Sequence, residues 1–502
     1  MSLSRFLGIL CLLACTEPYP AVLFAQRGDC SGLNMVRLGE IPGLGFIRGF
    51  ADLNHNGLVD IVGSGPPLGN PNGGYRLKIF EYTGDNRYAR QVYEGRTVLG
   101  GFDHPEWIGD SDGDGLVELA ISHQDDRQNL FVYESLDSLS YPIPDSINLK
   151  WQLRMWDFGF LVRQTVYDED LDNDGLREFV FGFADSVLQE AAIFIWEWDG
   201  RSGYKEVGRL IVGENYGDKI FGDFDMDGFK EIIVGDTRGV VHGFETADND
   251  SFYQHWTGKA FVQNAMRGVA INDADQDGKP EFVIGAASFE HGYKLYTMFE
   301  TIGNNQYEIV WQDTLCEFPL GFGKMVAGDV DDDGVDEFVI ASESNLRVYN
   351  AVADNNFQCV FIMDYGGSDL DTYDANNNGY SEILYGTHPH QLLEYVPVTA
   401  VGGESVYSFT TFFELYRNYP NPFNSSTTIA FCLRFSARVQ LTIYDIFGRE
   451  VETLVNELKP PGYHIVKWSA ITDNEKGIAS GIYFYSLSVD KSTRTAKMIL
   501  LR

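Results

Sequence analysis

Apolar and polar positions alternate along this chain in short runs, and the runs come in sets. Each set opens with a run that leads into an acidic turn, as in FIRGFAD (46–52), LVRQTVYD (161–168) and KMVAGD (324–329). A second, more uniformly apolar run leaves the turn: EFVFGF (178–183), EIIVGD (231–236), EFVIGA (281–286) and EFVIAS (337–342). A third is aromatic and tipped with an acid, as in LKIFEYTGD (77–85), AIFIWEWDG (192–200) and KLYTMFETIG (294–303). A fourth follows a polar turn, as in YKEVGRLI (204–211), FYQHWTGK (252–259) and YEIVWQDT (307–314). Runs of this length bounded by Gly, Asp and Asn predict strands. Four strands per set is the unit of a propeller blade.

The acidic turns share one pattern, Asp-x-[Asp/Asn]-x-[Asp/Asn]-Gly-x-x-[Asp/Glu]. It occurs seven times, at intervals of 45 to 60 residues. A supersecondary unit repeated at such a period signals a propeller or solenoid. Positions 1, 3, 5 and 9 are Asp52, Asn54, Asn56 and Asp60 in the first loop and Asp110, Asp112, Asp114 and Glu118 in the second. They are Asp170, Asp172, Asp174 and Glu178 in the third, and Asp223, Asp225, Asp227 and Glu231 in the fourth. The fifth has Asp273, Asp275, Asp277 and Glu281, the sixth Asp329, Asp331, Asp333 and Glu337, and the seventh Asp374, Asn376, Asn378 and Glu382.

Alternating carboxylates ahead of a Gly suit a hard cation, because a curled loop turns positions 1, 3 and 5 onto one point and Gly permits the curl. An EF-hand would need a bidentate Glu at position 12 between two helices. Position 12 is Gly63, Ile121, Phe181, Val234, Ile284, Ile340 or Tyr385, and the following run is strand-like, so the EF-hand is excluded. The expectation is structural calcium, up to seven ions. The first and last loops carry Asn at positions 3 and 5, so they are expected to bind most weakly.

The seventh set lacks a fourth run. Leu33–Glu40 has the fourth-run pattern, and an N-terminal strand there would complete the last sheet and cover its edge. The fold expected is therefore all-β, a seven-bladed β-propeller over residues 31–397 followed by a small Ig-like β-sandwich. On the loop core, with Phe322-Gly323 ahead of one copy, the region resembles the FG-GAP/VCBS repeat family found in the integrin α-subunit propeller. The resemblance implies that the calcium loops brace the blades and that ligands dock on a face of the disc.

A different grammar starts near Phe413, after a linker expected at 398–412. Strand-like runs separated by Gly turns suggest a small β-sandwich. Asn418-Tyr419-Pro420-Asn421-Pro422-Phe423, Tyr444-Asp445 with Gly448-Arg449, and Ser480-Gly481-Ile482-Tyr483 resemble the type A C-terminal sorting domain of the type IX secretion system, over residues 413–502. That resemblance implies recognition by the type IX secretion machinery, usually with removal of the domain. It also implies release from, or attachment to, the outer surface of a Gram-negative, Bacteroidetes-like bacterium.

The other end agrees with export. Arg5 precedes the apolar run Phe6–Ala14, which reads as a signal peptide over residues 1–25 with cleavage after Ala25. Leu12-Leu13-Ala14-Cys15 offers a competing lipoprotein site. No other segment is apolar enough to be transmembrane. Cys30, Cys316, Cys359 and Cys432 would remain after cleavage; Cys316 with Cys359 is the first candidate disulfide, and buried free thiols are the equal alternative.

With 37 basic and 73 acidic residues the formal charge is −36. Seven divalent ions would cancel 14 units and leave about −22. Nucleic acid, which needs a basic footprint, is excluded as a partner. No catalytic motif was found: HExxH, GxSxG and the P-loop are absent, and His388 and His390 form the one HxH pair considered for a metal. Aromatics make up 14% of residues; most belong in cores, although Trp107, Trp156 and Trp256 could stack on sugars. The function expected is adhesion or ligand binding by a monomer, with a glycan or protein on a propeller face. A polysaccharide-degrading enzyme and a cell-envelope scaffold are the alternatives.

Overall fold

The computed structural model describes residues 33, 35–41, 43–66, 76–82, 90–95, 102–124, 129–154, 168–185, 190–201, 203–213, 215–246, 249–260, 263–288, 293–315, 323–342, 345–363, 369–376, 378–386, 390–395, 413–433, 437–459, 462–470, 478–489 and 492–501. The signal segment, the linker, Trp156, Cys316, Phe322 and His388 lie outside them. The described residues are all-β and include no helix, hence none long and apolar enough to cross a membrane.

Residues 35–395 build seven four-stranded antiparallel sheets. The first holds Phe46–Ala51, Asp60–Gly65, Arg76–Glu81 and Arg90–Gly95 in spatial order. The second holds Phe102–Gly109, Glu118–Gln124, Asn129–Glu134 and Leu149–Arg154. The third holds Asp168–Glu169, Glu178–Asp185, Glu190–Trp198 and Tyr204–Ile211; the fourth Tyr216–Gly222, Glu231–Asp236, Val240–Thr246 and Phe252–Lys259. The fifth holds Ala265–Ile271, Glu281–Ser288, Tyr293–Gly303 and Gln306–Leu315; the sixth Lys324–Gly328, Glu337–Ala341, Leu346–Ala353 and Asn356–Met363. In each, the strands lie side by side in chain order.

The seventh sheet breaks that order. Asp369–Tyr373, Glu382–Gly386 and His390–Tyr395 are followed in space by Met35–Ile41, whose ladder runs from Met35 opposite Tyr395 to Ile41 opposite His390. The N-terminal run pairs where its pattern suggested.

Sheets pack through apolar clusters that each span two of them. Leu53, Val62 and Ile79 of the first sheet meet Leu119, Ile121 and Tyr133 of the second. Val132 and Leu153 meet Phe179 and Phe194; Val180 and Ile195 meet Ile232 and Val234; Ile233 and Val241 meet Phe282 and Phe299. Val283 and Trp311 meet Phe338 and Tyr349; Val339 and Phe361 meet Ile383 and Tyr385. The last cluster joins Ala375, Leu384 and Leu392 of the seventh sheet to Ile47, Ile61 and Phe80 of the first. Fully burying one such side chain is worth about 1.5–3 kcal/mol, so each cluster is a substantial cohesive unit. Trp107 packs edge-on against Phe179, and Trp256 against Phe282, Phe299 and Tyr307, so both belong to these clusters.

Residues 413–501 form two further sheets. Phe413–Leu415, Ser426–Leu433 and Gly462–Ser469 make one; Glu450–Lys459, Ala437–Tyr444, Gly481–Val489 and Ser492–Leu500 make the other. Ile429, Phe431 and Trp468 of the first share one core with Leu441, Tyr485 and Met498 of the second. Cys359 is a thiol, its Sγ 3.3 Å from the Phe361 carbonyl oxygen, so the expected Cys316–Cys359 disulfide does not form. Cys432 is disulfide-bonded.

Candidate metal centres

All seven acidic turns join an edge strand of a sheet to a second strand that follows it in the chain and lies beside it, and they fold alike. Position 6 is Gly with φ between +82° and +98° in every copy, the left-handed region that disfavours a side chain. The position-1 carboxylate accepts from that Gly N–H at 2.8 to 3.1 Å in every loop. The position-5 oxygen accepts from the backbone N–H two residues on, at 2.7 to 3.0 Å. The turn is thus wound around its own side-chain oxygens.

The position-9 acid opens the second strand and is buried in all seven copies. One of its oxygens always accepts from the N–H of position 2, at distances from 2.5 to 3.2 Å. The other has no hydrogen-bond partner in Asp60, Glu118, Glu178, Glu231, Glu281 and Glu337. In the seventh loop it accepts from Asn376 Nδ2 at 2.6 Å. In loops two, four and five the four acids each bring an oxygen within 4.8 Å of the others. In loop three Asp170, Asp172 and Glu178 do so, and Asp174, Glu178 and Glu197 form a second such group.

A buried, ionised carboxylate without a partner costs several kcal/mol. Burial, reinforced by the neighbouring acids, lifts Glu178, Glu231 and Glu281 to about 9, Glu337 to about 8, and Asp60, Glu118 and Glu382 to about 7. Without a cation, burial favours the protonated form of these acids, most strongly at Glu178, Glu231, Glu281 and Glu337. A hard divalent cation would let them ionise, and an all-oxygen set with a buried oxygen that lacks a hydrogen-bond donor in six of the loops fits calcium.

Two further features were missed or half-read in the sequence. The acid that tips the third strand lies across from position 9: Asp60 faces Glu81, Glu118 faces Glu134, Glu178 faces Glu197 and Glu281 faces Glu300. Glu81, Glu197, Glu245, Glu300 and Glu394 are buried, and facing acids repel. Arg90 meets Glu81 at 3.0 Å and Lys205 meets Glu197 at 2.7 Å, while Lys279 meets Glu300 and lies 3.0 Å from Asp277.

The second feature ties neighbouring sheets together. The N–H of Asp250, in the outer hairpin of the fourth sheet, donates to Asp172 Oδ2 of the third-sheet loop at 2.7 Å. Asn305 and Asn355 do the same to Asp225 and Asp275, each at 2.6 Å. All three donors have positive φ, near +55°. Their signal is the Asn-Asp, Asn-Asn or Asp-Asn dipeptide at 249–250, 304–305 and 354–355. His390 is buried, its Nδ1 2.9 Å from the Leu44 carbonyl oxygen, which serves packing between the seventh and first sheets.

No curated protein matches the chain, and no FG-GAP or VCBS family model matches its repeats. The C-terminal region does match: residues 417–501 fit the family described as the secretion system C-terminal sorting domain. A tail of that family implies delivery to the cell surface or beyond, as is typical of Bacteroidetes. Residues 417–501 are thus a type A sorting domain of the type IX secretion system, carried behind seven repeated β-sheets.

Proposed function

We propose that the seven sheets are the blades of a closed β-propeller, that calcium fills its acidic loops, and that the exported disc binds a glycan or protein at the cell surface. The observation that carries the calcium reading is the buried oxygen at position 9 that accepts no hydrogen bond in six loops, five of them also without an ion pair at that oxygen. Ring closure is supported by the apolar clusters, which link each sheet to the next and the seventh to the first. Calcium would be held by positions 1, 3, 5 and 9 of the loops it occupies. Its chemistry there is charge neutralisation, which fixes the loops as rigid corners.

The sorting domain directs the disc outward, and the Ig-like sandwich is that address in folded form. Binding of the full-length chain to a glycan array and to host surface proteins tests the role. Binding that is lost on chelation is the expected result. Depolymerisation of a polysaccharide would replace this reading with a second one, a polysaccharide-degrading enzyme. One observation favours that alternative: the inner strands gather mixed charges, with Arg267 2.9 Å from Asp218 and Lys324 3.7 Å from Asp369.

A further inference from the structure

The outer strand of six sheets carries a β-bulge at one equivalent place, just before the residue that tips the third strand. The extra residue is Val92, Val207, His255, Val310 or Val360 in five of them. In the second sheet it is Lys150, which falls between the Val132–Trp151 and Tyr133–Leu149 pairs. A bulge re-aims the side chain it carries. Here it turns an ammonium onto an acidic loop.

Lys150 Nζ lies 2.5 Å from Asp112 Oδ2, 3.6 Å from Glu118 Oε1 and 3.8 Å from Asp114 Oδ2, and it contacts Glu134. Three of the loop's four ligand positions and the facing glutamate converge on one nitrogen. Its side chain is only 17% exposed and its ammonium stands 5.6 Å from the Trp198 ring centre. Other cations stop short of this. Arg90 reaches Glu81, Lys205 reaches Glu197 and Asp250, and Lys279 touches one position of its own loop.

We propose that Lys150 is the resident cation of the second acidic loop, so that this loop holds the chain's own ammonium where its counterparts take calcium. The inference rests on the calcium reading above. A divalent ion entering this loop must eject a largely buried ammonium from three carboxylates, whereas at a Val-bearing sheet it meets no such competitor.

The test is the number of calcium ions bound per full-length chain, measured by elemental analysis after equilibrium dialysis against saturating calcium. Lys150→Val should bind one ion more than the unaltered chain, and Lys150→Arg the same number. Asp112→Asn should lose no ion in the unaltered chain and should lose the extra ion in the Lys150→Val background. Equal stoichiometry for the unaltered chain and Lys150→Val, with one ion lost in Asp112→Asn alone, overturns the proposal. If Lys150→Val folds only in calcium, the ion is replacing the ammonium, which supports it. If no variant binds any ion, the calcium reading falls. Lys150 is then judged by melting in chelator: a drop of several degrees in Lys150→Val upholds the ammonium's role, and an unchanged temperature refutes it.

Discussion

Two regions of this chain use the same turn chemistry to different ends. In the sorting domain, Asp445 opens the turn Asp445-Ile446-Phe447-Gly448-Arg449, and Gly448 takes φ +75°. Its carboxylate accepts from the Phe447 and Arg449 N–H groups at 2.9 and 3.0 Å and from Arg449 Nε at 2.7 Å. The charge is half-buried and answered within five residues. In the repeats, Asp–Gly turns are just as regular, but each feeds a buried acid whose second oxygen accepts no hydrogen bond in six copies, one of them facing the Lys150 ammonium at 3.6 Å. An Asp–Gly turn is therefore no metal site by itself; the unanswered, buried oxygen behind it is what distinguishes the two regions.

The largest contrast expected is in pH response without metal. The position-9 acids have folded-state values raised to between about 7 and about 9, against ordinary values of 3.8 for Asp60 and 4.5 for the glutamates. A raised acid favours the folded state fully below its unfolded value and loses that benefit as pH climbs to the folded value. In chelator, the melting temperature of the repeats should fall steadily from pH 5 to pH 9. The sorting domain, followed by its own transition, should not share that slope. Saturating calcium should flatten the slope, because the ion holds the ionised form. A pH-independent melt in chelator would contradict the burial argument.

A sharper break comes from one side chain. Glu281→Gln replaces a buried acid with a neutral isostere, so at pH 8 it should raise the melting temperature in chelator and lower it in calcium. Opposite signs are the signature of a ligand; a loss under both conditions would mark a packing role alone. Smaller still are the glycines. Gly278 and Gly448 have positive φ and open space where a Cβ would stand, so alanine at either should cost about 1–2 kcal/mol through the backbone alone. Only Gly278→Ala should also weaken calcium binding, read by titration. The smallest effect belongs to Asp445→Asn, which should leave the calcium response unchanged.

Much of this was legible in the sequence. The outer runs at 204–211 and 252–259 form strands with those bounds, because alternation and turn residues are local signals. The acidic loops were equally plain, since seven copies share one spacing. Legibility failed where the partner comes from a neighbouring repeat. Asp250, Asn305 and Asn355 meet acids 78 to 80 residues away, a separation set by how sheets stack. Lys150 was hidden for a related reason: a bulge, not a motif, aims it. The third-strand acids were seen as a pattern, but only pairing placed them opposite position 9. The Cys316–Cys359 proposal failed because similar positions in adjacent repeats do not fix where each thiol points.

The most direct test of the central claim is thermal unfolding of the full-length chain at neutral pH, with saturating calcium and again with chelator. A large calcium-dependent rise in the melting temperature of the repeat region, with the sorting-domain transition unmoved, is the result expected. Coincident melts under the two conditions would contradict it, and would leave the buried carboxylates to be explained by protons alone.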